Sequence, residues 1–301
     1  MLESRLCDTC ITSPPYYGLR NYGNENQIGL EESPKDYIKK IVDVFREVRR
    51  VLCGTGTLWV VMGDTYAGLG KRGGGDPQSS FRNLGGGGYP EKQMPAGMKN
   101  KDLMGIPWML AFALRKDGWY LRSDIIWSKG NAMPESVKDR PTRSHEYIFL
   151  LSKSEKYHYD YHSIMEDMIT TDRTSPRGNR GVVGTKNSGI RKQDGHGRRY
   201  KGFNERYFQN SSIKTLKNKR SVWSVNTTPL KDAHFATFPM ELIRPCVLAG
   251  CRSDGIVIDP FMGSGTTGIV ALQEQRGFIG IELNQDYMEI ARRRISGILE
   301  T

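Results

Sequence analysis

The chain has 301 residues, 37% hydrophobic and 26% charged, with a formal net charge of +11. That length holds one large domain, or one domain with a sizeable insertion, and the composition is that of a globular chain. No apolar run approaches the roughly 20 residues that cross a bilayer. The opening MLESRLCDTC has no apolar leader, and five cysteines form no even disulfide set, so the expectation is a cytoplasmic protein with no membrane partner.

Cys7 to Thr12 reads as a short strand that ends at Ser13-Pro14-Pro15-Tyr16. Ser33-Pro34 opens a helix, with Ser as cap, Pro in the first turn and apolar residues Ile38, Ile41, Val42, Phe45, Val48 and Leu52 at helical spacing. Residues 56–64, "GTLWVVMGD", form a buried-type strand. Residues 66–100 contain "GGG" and "GGGG" and read as a mobile loop, because such a segment cannot bury a core. A helix over 106–116 and strands over 119–129 and 145–153 follow. After a basic window, a helix over 238–250, a strand over 255–260, a helix over 266–275, a strand over 277–283 and a closing helix over 285–299 complete the chain. Strands alternating with helices imply an α/β fold on a parallel sheet.

The charge is localised. Between Thr170 and Arg220 stand 14 Lys and Arg against 3 acids, a balance of +11, whereas the remainder holds 30 of each sign. An excess confined to one glycine-dotted window predicts a polyanion-binding surface. Basic and aromatic residues mix there, in Arg198-Arg199-Tyr200, Phe203, Arg206 and Tyr207, as contacts to phosphates and base edges require.

Gly263-Ser264-Gly265-Thr266-Thr267-Gly268 matches G-x-G-x-x-G after an apolar strand and at the start of a helix. Glu282 follows Gly263 by 19 residues, at the end of the next strand. That is the layout of a nucleotide-cofactor site: glycines admit the ligand to the backbone and the carboxylate accepts hydrogen bonds from ribose hydroxyls. Too little chain follows Glu282 to complete a sheet. The remaining strands must come from the N-terminal half, which sets the strand of Asp259 beside the strand of Thr12, both feeding the carboxyl edge.

"TSPPYYGLR" resembles the catalytic (Asp/Asn/Ser)-Pro-Pro-(Tyr/Phe/Trp) motif of amino-methyltransferases acting on nucleic-acid bases, and "DPFMGSGTTG" resembles their S-adenosylmethionine motif. "HFATFPMELIRP" is similar to their additional cofactor segment, and "GWYLRSDIIW" and "RPTRSHEYIFLLSK" are similar to further blocks of the family. The order of catalytic motif, basic region and cofactor motif resembles the β group of DNA amino-methyltransferases, and the likeness covers nearly all of the chain outside the two loops.

The resemblance implies a doubly wound, class I (Rossmann-like) methyltransferase sheet with permuted motif order. Its catalytic half would span 1–165, an inserted target-recognition region 166–222 and its cofactor half 223–301. It implies S-adenosyl-L-methionine as cofactor, held by Asp259, Phe261, Gly263, Gly265, Thr266, Thr267 and Glu282, with His234, Phe235, Phe238 and Pro239 from the upstream segment. It implies double-stranded DNA as partner, met by Arg191, Lys192, Arg198, Arg199, Lys201 and Arg206, and by Lys217, Lys219 and Arg220. A homodimer, a cognate restriction endonuclease and a bacterial, archaeal or phage-infected host cell fit the same picture.

The implied reaction is methylation of an exocyclic amino group on a base flipped out of the duplex. Ser13 and the Pro14 carbonyl would accept its hydrogens, Pro14 and Pro15 would stiffen the turn, and Tyr16 would stack on the base. Serine in the first position leans towards cytosine N4, with adenine N6 as the alternative. Family members carry a further strand that encloses the cofactor adenine. This chain begins about where that strand would end, and weak cofactor binding by the isolated chain is the expectation.

Other signals read as structural. Pro245-Cys246 lies in a helical apolar pattern and is expected to be core. Cys7-x-x-Cys10 has no second pair, so no metal site is expected. His145-Glu146 is expected to make a sheet-edge hydrogen bond, and Trp59, Trp119 and Trp127 are expected in the core. An NAD-dependent oxidoreductase built on "GSGTTG", a DNA-binding relative without turnover and an RNA-directed enzyme are the competing readings.

Overall fold

The computed structural model describes residues 2–19, 24, 26–68, 97–167, 216–227 and 237–299. They fall into two compact units, Met1–Ser163 with Arg220–Thr301, and Ile164–Lys219.

In chain order the strands are β1 (Cys7–Thr12), β2 (Leu52–Met62), β3 (Tyr120–Ser128), β4 (His145–Ser152), β5 (Glu166–Asp167), β6 (Leu216–Lys217), β7 (Val222–Ser224), β8 (Ile256–Asp259) and β9 (Gly277–Gly280). The second unit contains β5 and β6, paired as a short antiparallel ladder. The first unit is built on a seven-stranded sheet of the others, in the order β7-β3-β4-β2-β1-β8-β9. The first strand of the chain is central. It pairs in parallel with β2, Thr12 opposite Val60, and with β8, Cys10 opposite Ile258, so the two motif-bearing strands are neighbours as expected. Thr12, Met62, Ser128 and Asp259 therefore all end at one edge of the sheet.

The sheet is not wholly parallel. β4 runs antiparallel to both β2 and β3. The physical reason is the connection: no helix lies between β3 and β4, and without a crossover the chain can only turn back beside itself. His145 and Glu146 at the start of β4 consequently share the carboxyl edge of the other strands.

Helices cover both faces. On one face lie α1 (Pro34–Val51) and α2 (Ile106–Lys116). Ser33 stays extended and its Oγ accepts the Asp36 N–H at 3.2 Å, so α1 begins where the cap signal predicts. Its buried stripe, including Tyr37, Ile41 and Phe45, packs on Leu58, Val60 and Met62 of β2 and Phe149 of β4. Truncating a fully buried ring such as Phe45 to alanine would cost about 3–5 kcal/mol. On the other face α3 (Met240–Gly250) packs against β1 and β2. Its last residue, Gly250, lies so near Trp59 that a Cβ there would stand 2.6 Å from the indole nitrogen. Cys246 is fully buried within α3, as its pattern predicts, and Trp59, Trp119 and Trp127 are all core. The chain closes with α4 (Thr266–Gln273) and α5 (Gln285–Leu299), which pack on each other.

Of the glycine-rich stretch, residues 69–96 lie outside the described residues. Its ends are joined: Tyr66 bridges to Leu103, and Ala67 and Lys101 share a backbone hydrogen bond at 2.8 Å. Among the described residues no helix is long and apolar enough to cross a membrane.

Candidate active site

The adjacent ends of β1 and β8 deliver the two motifs to one place, and Asp259 joins them. This carboxylate is 1% exposed. It accepts the Thr12 hydroxyl on Oδ1 at 2.6 Å, the Thr267 hydroxyl on Oδ2 at 2.6 Å and the Phe261 N–H on Oδ1 at 3.0 Å. Burial raises its pKa to about 6, and the three donors hold it down against a further rise. One side chain thus ties the β1 strand end, the glycine loop and the first turn of α4.

The loop itself turns on two glycines with positive φ, Gly263 at 54° and Gly265 at 83°. A Cβ on Gly265 would lie 3.0 Å from that of Ala291, so this position accepts glycine for both conformation and space. Gly263 donates its N–H to Glu282 Oε2 at 2.8 Å, and Asn284 donates to Glu282 Oε1 at 2.8 Å. Glu282 stands two residues beyond the end of β9 rather than within the strand. Each of its oxygens keeps a lone pair for a further donor.

On the β1 side, Ser13, Pro14, Pro15 and Tyr16 form the turn. The Pro15 carbonyl accepts the Tyr37 hydroxyl at 2.8 Å and the Tyr16 carbonyl accepts the Leu19 N–H at 3.3 Å. The Pro14 carbonyl accepts no hydrogen bond from another described residue. The Tyr16 hydroxyl donates to Glu146 Oε2 at 2.7 Å, and Glu146 Oε1 accepts Lys129 Nζ at 2.5 Å. Lys129 also lies over the Trp127 ring, 4.3 Å from its centre. Burial, followed by the Glu146 charge and hydrogen bond, pushes the Tyr16 phenol well above its usual pKa, so it stays a neutral donor. Beneath Tyr16, a Cβ on Gly63 would meet the ring at 2.9 Å.

Glu146 makes its hydrogen bonds at the carboxyl edge of the sheet, as expected of the His145-Glu146 pair. It sits on an interior strand, between β3 and β2, and its carboxylate faces the Ser13–Tyr16 turn. Glu146, Lys129 and Gly63 are site residues that sequence reasoning missed. The available signal was a pair of polar residues, His145-Glu146, at the mouth of an otherwise apolar strand. Asp64 caps α2 beside them, accepting the N–H groups of Gly105 and Ile106 at 3.0 Å each.

A cavity of about 1020 Å³ spans this region. Its wall includes all four residues of the Ser-Pro-Pro-Tyr turn and, from the other motif, Phe261, Gly263, Thr266 and Glu282, with Phe238 from the upstream segment. Asp259, Gly265, Thr267 and Pro239 are not on the wall. Asp259 and Thr267 are sealed beneath the loop, and Pro239 caps α3. His234 and Phe235 lie outside the described residues, as do Arg191, Lys192, Arg198, Arg199, Lys201 and Arg206. In the second unit, Lys217 and Lys219 both approach Glu166 at 3.8 Å. In the first, the Arg220 carbonyl accepts the Trp223 indole N–H at 2.6 Å. No group of three or more His, Cys, Asp or Glu among the described residues could hold a metal ion.

A family model described as DNA methylase, N6_N4_Mtase, matches residues 7–293. The chain is 48% identical over 289 residues to Type II methyltransferase M.Cfr9I of Citrobacter freundii, covering 95% of this chain and 80% of that protein. It is 47% identical over 294 residues to Type II methyltransferase M.SmaI of Serratia marcescens, covering 98% and 86%. Among solved structures, PvuII DNA methyltransferase (cytosine-N4-specific) matches with a TM-score of 0.60 at 15% identity, covering 99% of this chain and 86% of that one. TTHA0409 of Thermus thermophilus, complexed with S-adenosyl-L-methionine, gives 0.56 at 20% identity, covering 99% and 88%. These two share the fold. With one family model running from the first strand into the last helix, and relatives close to half identical along nearly the whole length, the chain belongs to the DNA methylase family of N6 and N4 amino-methyltransferases.

Proposed function

We propose that this chain methylates the exocyclic N4 of a cytosine flipped out of double-stranded DNA, using S-adenosyl-L-methionine. The observation that carries the reading is one cavity walled by the Ser13–Tyr16 turn on one side and the Gly263–Glu282 loop on the other. Ser13 in the first motif position and the shared fold with a cytosine-N4-specific enzyme support the choice of cytosine.

The loop residues fit the cofactor. Gly263 has no Cβ to obstruct a ligand, Phe238 and Phe261 offer apolar surface to an adenine, and Glu282 retains acceptor capacity for ribose hydroxyls. When bound, S-adenosyl-L-methionine supplies an electrophilic methyl on a sulfonium. Asp259 and Thr267 serve from beneath, by fixing the loop.

The amino nitrogen of cytosine is a weak nucleophile, because its lone pair is delocalised into the ring. Ser13 Oγ and the unoccupied Pro14 carbonyl accept its two hydrogens and aim the nitrogen. Tyr16, clamped by Glu146 and Lys129, presents a fixed ring on which the base stacks. Alignment of this kind accounts for much of the rate, and no covalent adduct with the protein is needed. Lys217, Lys219, Arg220 and the basic residues from Arg191 to Arg206 meet the DNA backbone, which makes binding strongly salt-dependent. A companion restriction endonuclease accords with relatives that are named Type II methyltransferases.

The test is incubation with unmethylated bacterial DNA and isotope-labelled S-adenosyl-L-methionine, followed by mass spectrometry of the nucleosides. N4-methylcytosine is expected. N6-methyladenine would keep the activity and overturn the base, and absence of label would overturn the enzyme reading.

A further inference from the structure

The segment between β3 and β4 brings three cations to the cavity wall, Lys129, Arg140 and Arg143. Two carboxylates accompany them and both are already engaged. Glu146 accepts Lys129 and Tyr16. Glu135 Oε2 accepts Arg140 Nη1 at 2.5 Å and, at 3.4 Å, only the backbone N–H of Arg143. Arg140 is further covered by the Tyr66 ring, 3.9 Å away.

Arg143 is the cation left over. It is half-buried, and its Nη1 is sealed from water with no acceptor. Among the described residues its guanidinium makes no ion pair or hydrogen bond. The uncompensated charge is felt next door: His145 is held below its usual pKa by burial and then by Arg143 and Lys129, against the opposing Glu146. A guanidinium that has lost part of its water without gaining a carboxylate is costly unless an oxyanion arrives.

We propose that Arg143 is a binding site for an oxyanion, the phosphodiester of the DNA strand beside the flipped base. This rests on the reading of the cavity as a DNA methylation site. The same chemistry could come from the cofactor's carboxylate, but position favours DNA. Arg143 leads into β4, which stands three strands from β8 and its glycine loop, a separation of roughly 14 Å at ordinary strand spacing. The Tyr16–Glu146 pair, on the base side, is three residues along the chain from Arg143. Arg143 can meet a phosphate flanking an extruded nucleotide through its guanidinium donors other than the sealed Nη1, and it lies outside the basic window.

The test is the affinity of the full chain for duplex DNA across a series of salt concentrations, with cofactor affinity measured in parallel by calorimetry. Arg143→Gln should make the slope of log K against log salt shallower by about 0.9, the value for one lost phosphate contact. Arg143→Lys should restore it, and cofactor affinity should not move. Arg143→Met, which keeps the aliphatic stem, checks that lost packing is not the cause. An unchanged slope with weakened cofactor binding would reassign Arg143 to the cofactor carboxylate, and an unchanged slope with unchanged cofactor binding would leave it a packing residue; either overturns the proposal. A wild-type chain that binds no DNA would instead bring down the underlying reading.

Discussion

Thr12 and Asp259 stand 247 residues apart in the chain, and the Thr12 hydroxyl donates to Asp259 Oδ1 at 2.6 Å in the protein interior. The contact fastens the strand that ends in Ser-Pro-Pro-Tyr to the strand that ends in the glycine loop. Thr12→Val keeps the shape and removes the donor, leaving a buried carboxylate oxygen with one partner fewer. The expected cost is about 1–3 kcal/mol of stability, read from urea denaturation, with Thr12→Ser recovering most of it. A loss within error of zero would mean that the Phe261 N–H suffices for that oxygen.

Asp259 also gives stability a pH dependence of known sign. Its pKa is raised by burial from 3.8 to about 6, so the folded state holds the proton more tightly than the unfolded chain does. The stabilisation is present below about 3.8 and is lost as pH rises to about 6, with an upper limit of roughly 3 kcal/mol at 1.36 kcal/mol per unit. Asp259→Asn should flatten the stability profile between about pH 4 and 6. Denaturation midpoints measured at each pH check this, and parallel curves for the two proteins would refute it.

Tyr16 and Glu146 should act as one unit. Tyr16→Phe keeps the ring and frees it to swing, and Glu146→Gln breaks the link to Lys129. Each should lower the methylation rate about tenfold, while the double variant should fall well short of a hundredfold, because bonded partners couple by roughly 0.5–3 kcal/mol. The effect should fall on kcat, with cofactor affinity intact. Fully additive losses would show that the pair does not cooperate.

Gly63→Ala would place a Cβ 2.9 Å from the Tyr16 ring and 3.2 Å from the Glu146 carboxyl. Packing this tight does not yield without moving a side chain, typically at about 1–3 kcal/mol. Turnover should drop several-fold and the unfolding temperature by a few degrees. Normal turnover would show that Tyr16 can shift without consequence.

Glu282→Gln tests the cofactor side. The amide can still accept the Gly263 N–H but presents only one oxygen where the carboxylate presents two. Cofactor affinity should weaken about tenfold, in keeping with the roughly 1.5–3 kcal/mol typical of hydrogen bonds to charged groups, while DNA binding without cofactor stays unchanged. Calorimetry decides, and equal affinity would remove Glu282 from the site.

Much of the fold was readable from spacing alone. The apolar stripe of α1 from Ile38 to Val48, its Ser33 cap and the run from Leu58 to Met62 depend on neighbours a few residues away and lie where expected, whereas Leu52, expected on the same stripe, opens β2. The absence of a helix between Ser128 and His145 was readable and already argued for a reversed β4, but which strands would flank it was not. The reach of β2 back to Leu52 was missed for a related reason: Leu52 joins the strand by pairing with Cys7 of β1, across an irregularity in the ladder before Thr57 meets Thr9, and such a pairing leaves no local pattern.

The candidate site divides in the same way. Ser13 to Tyr16 and Gly263 to Glu282 announce themselves by residue type and interval, because close backbone approach demands glycine and a stiff turn favours proline. Those constraints act within a single loop, and sequence by itself determined them, together with the α/β class. The partners of these residues were decided only in three dimensions. That Thr12 meets Asp259, that Glu146 clamps Tyr16 and that Arg143 meets no carboxylate among the described residues follow from strand order, and strand order is chosen by the burial of every strand and helix at once.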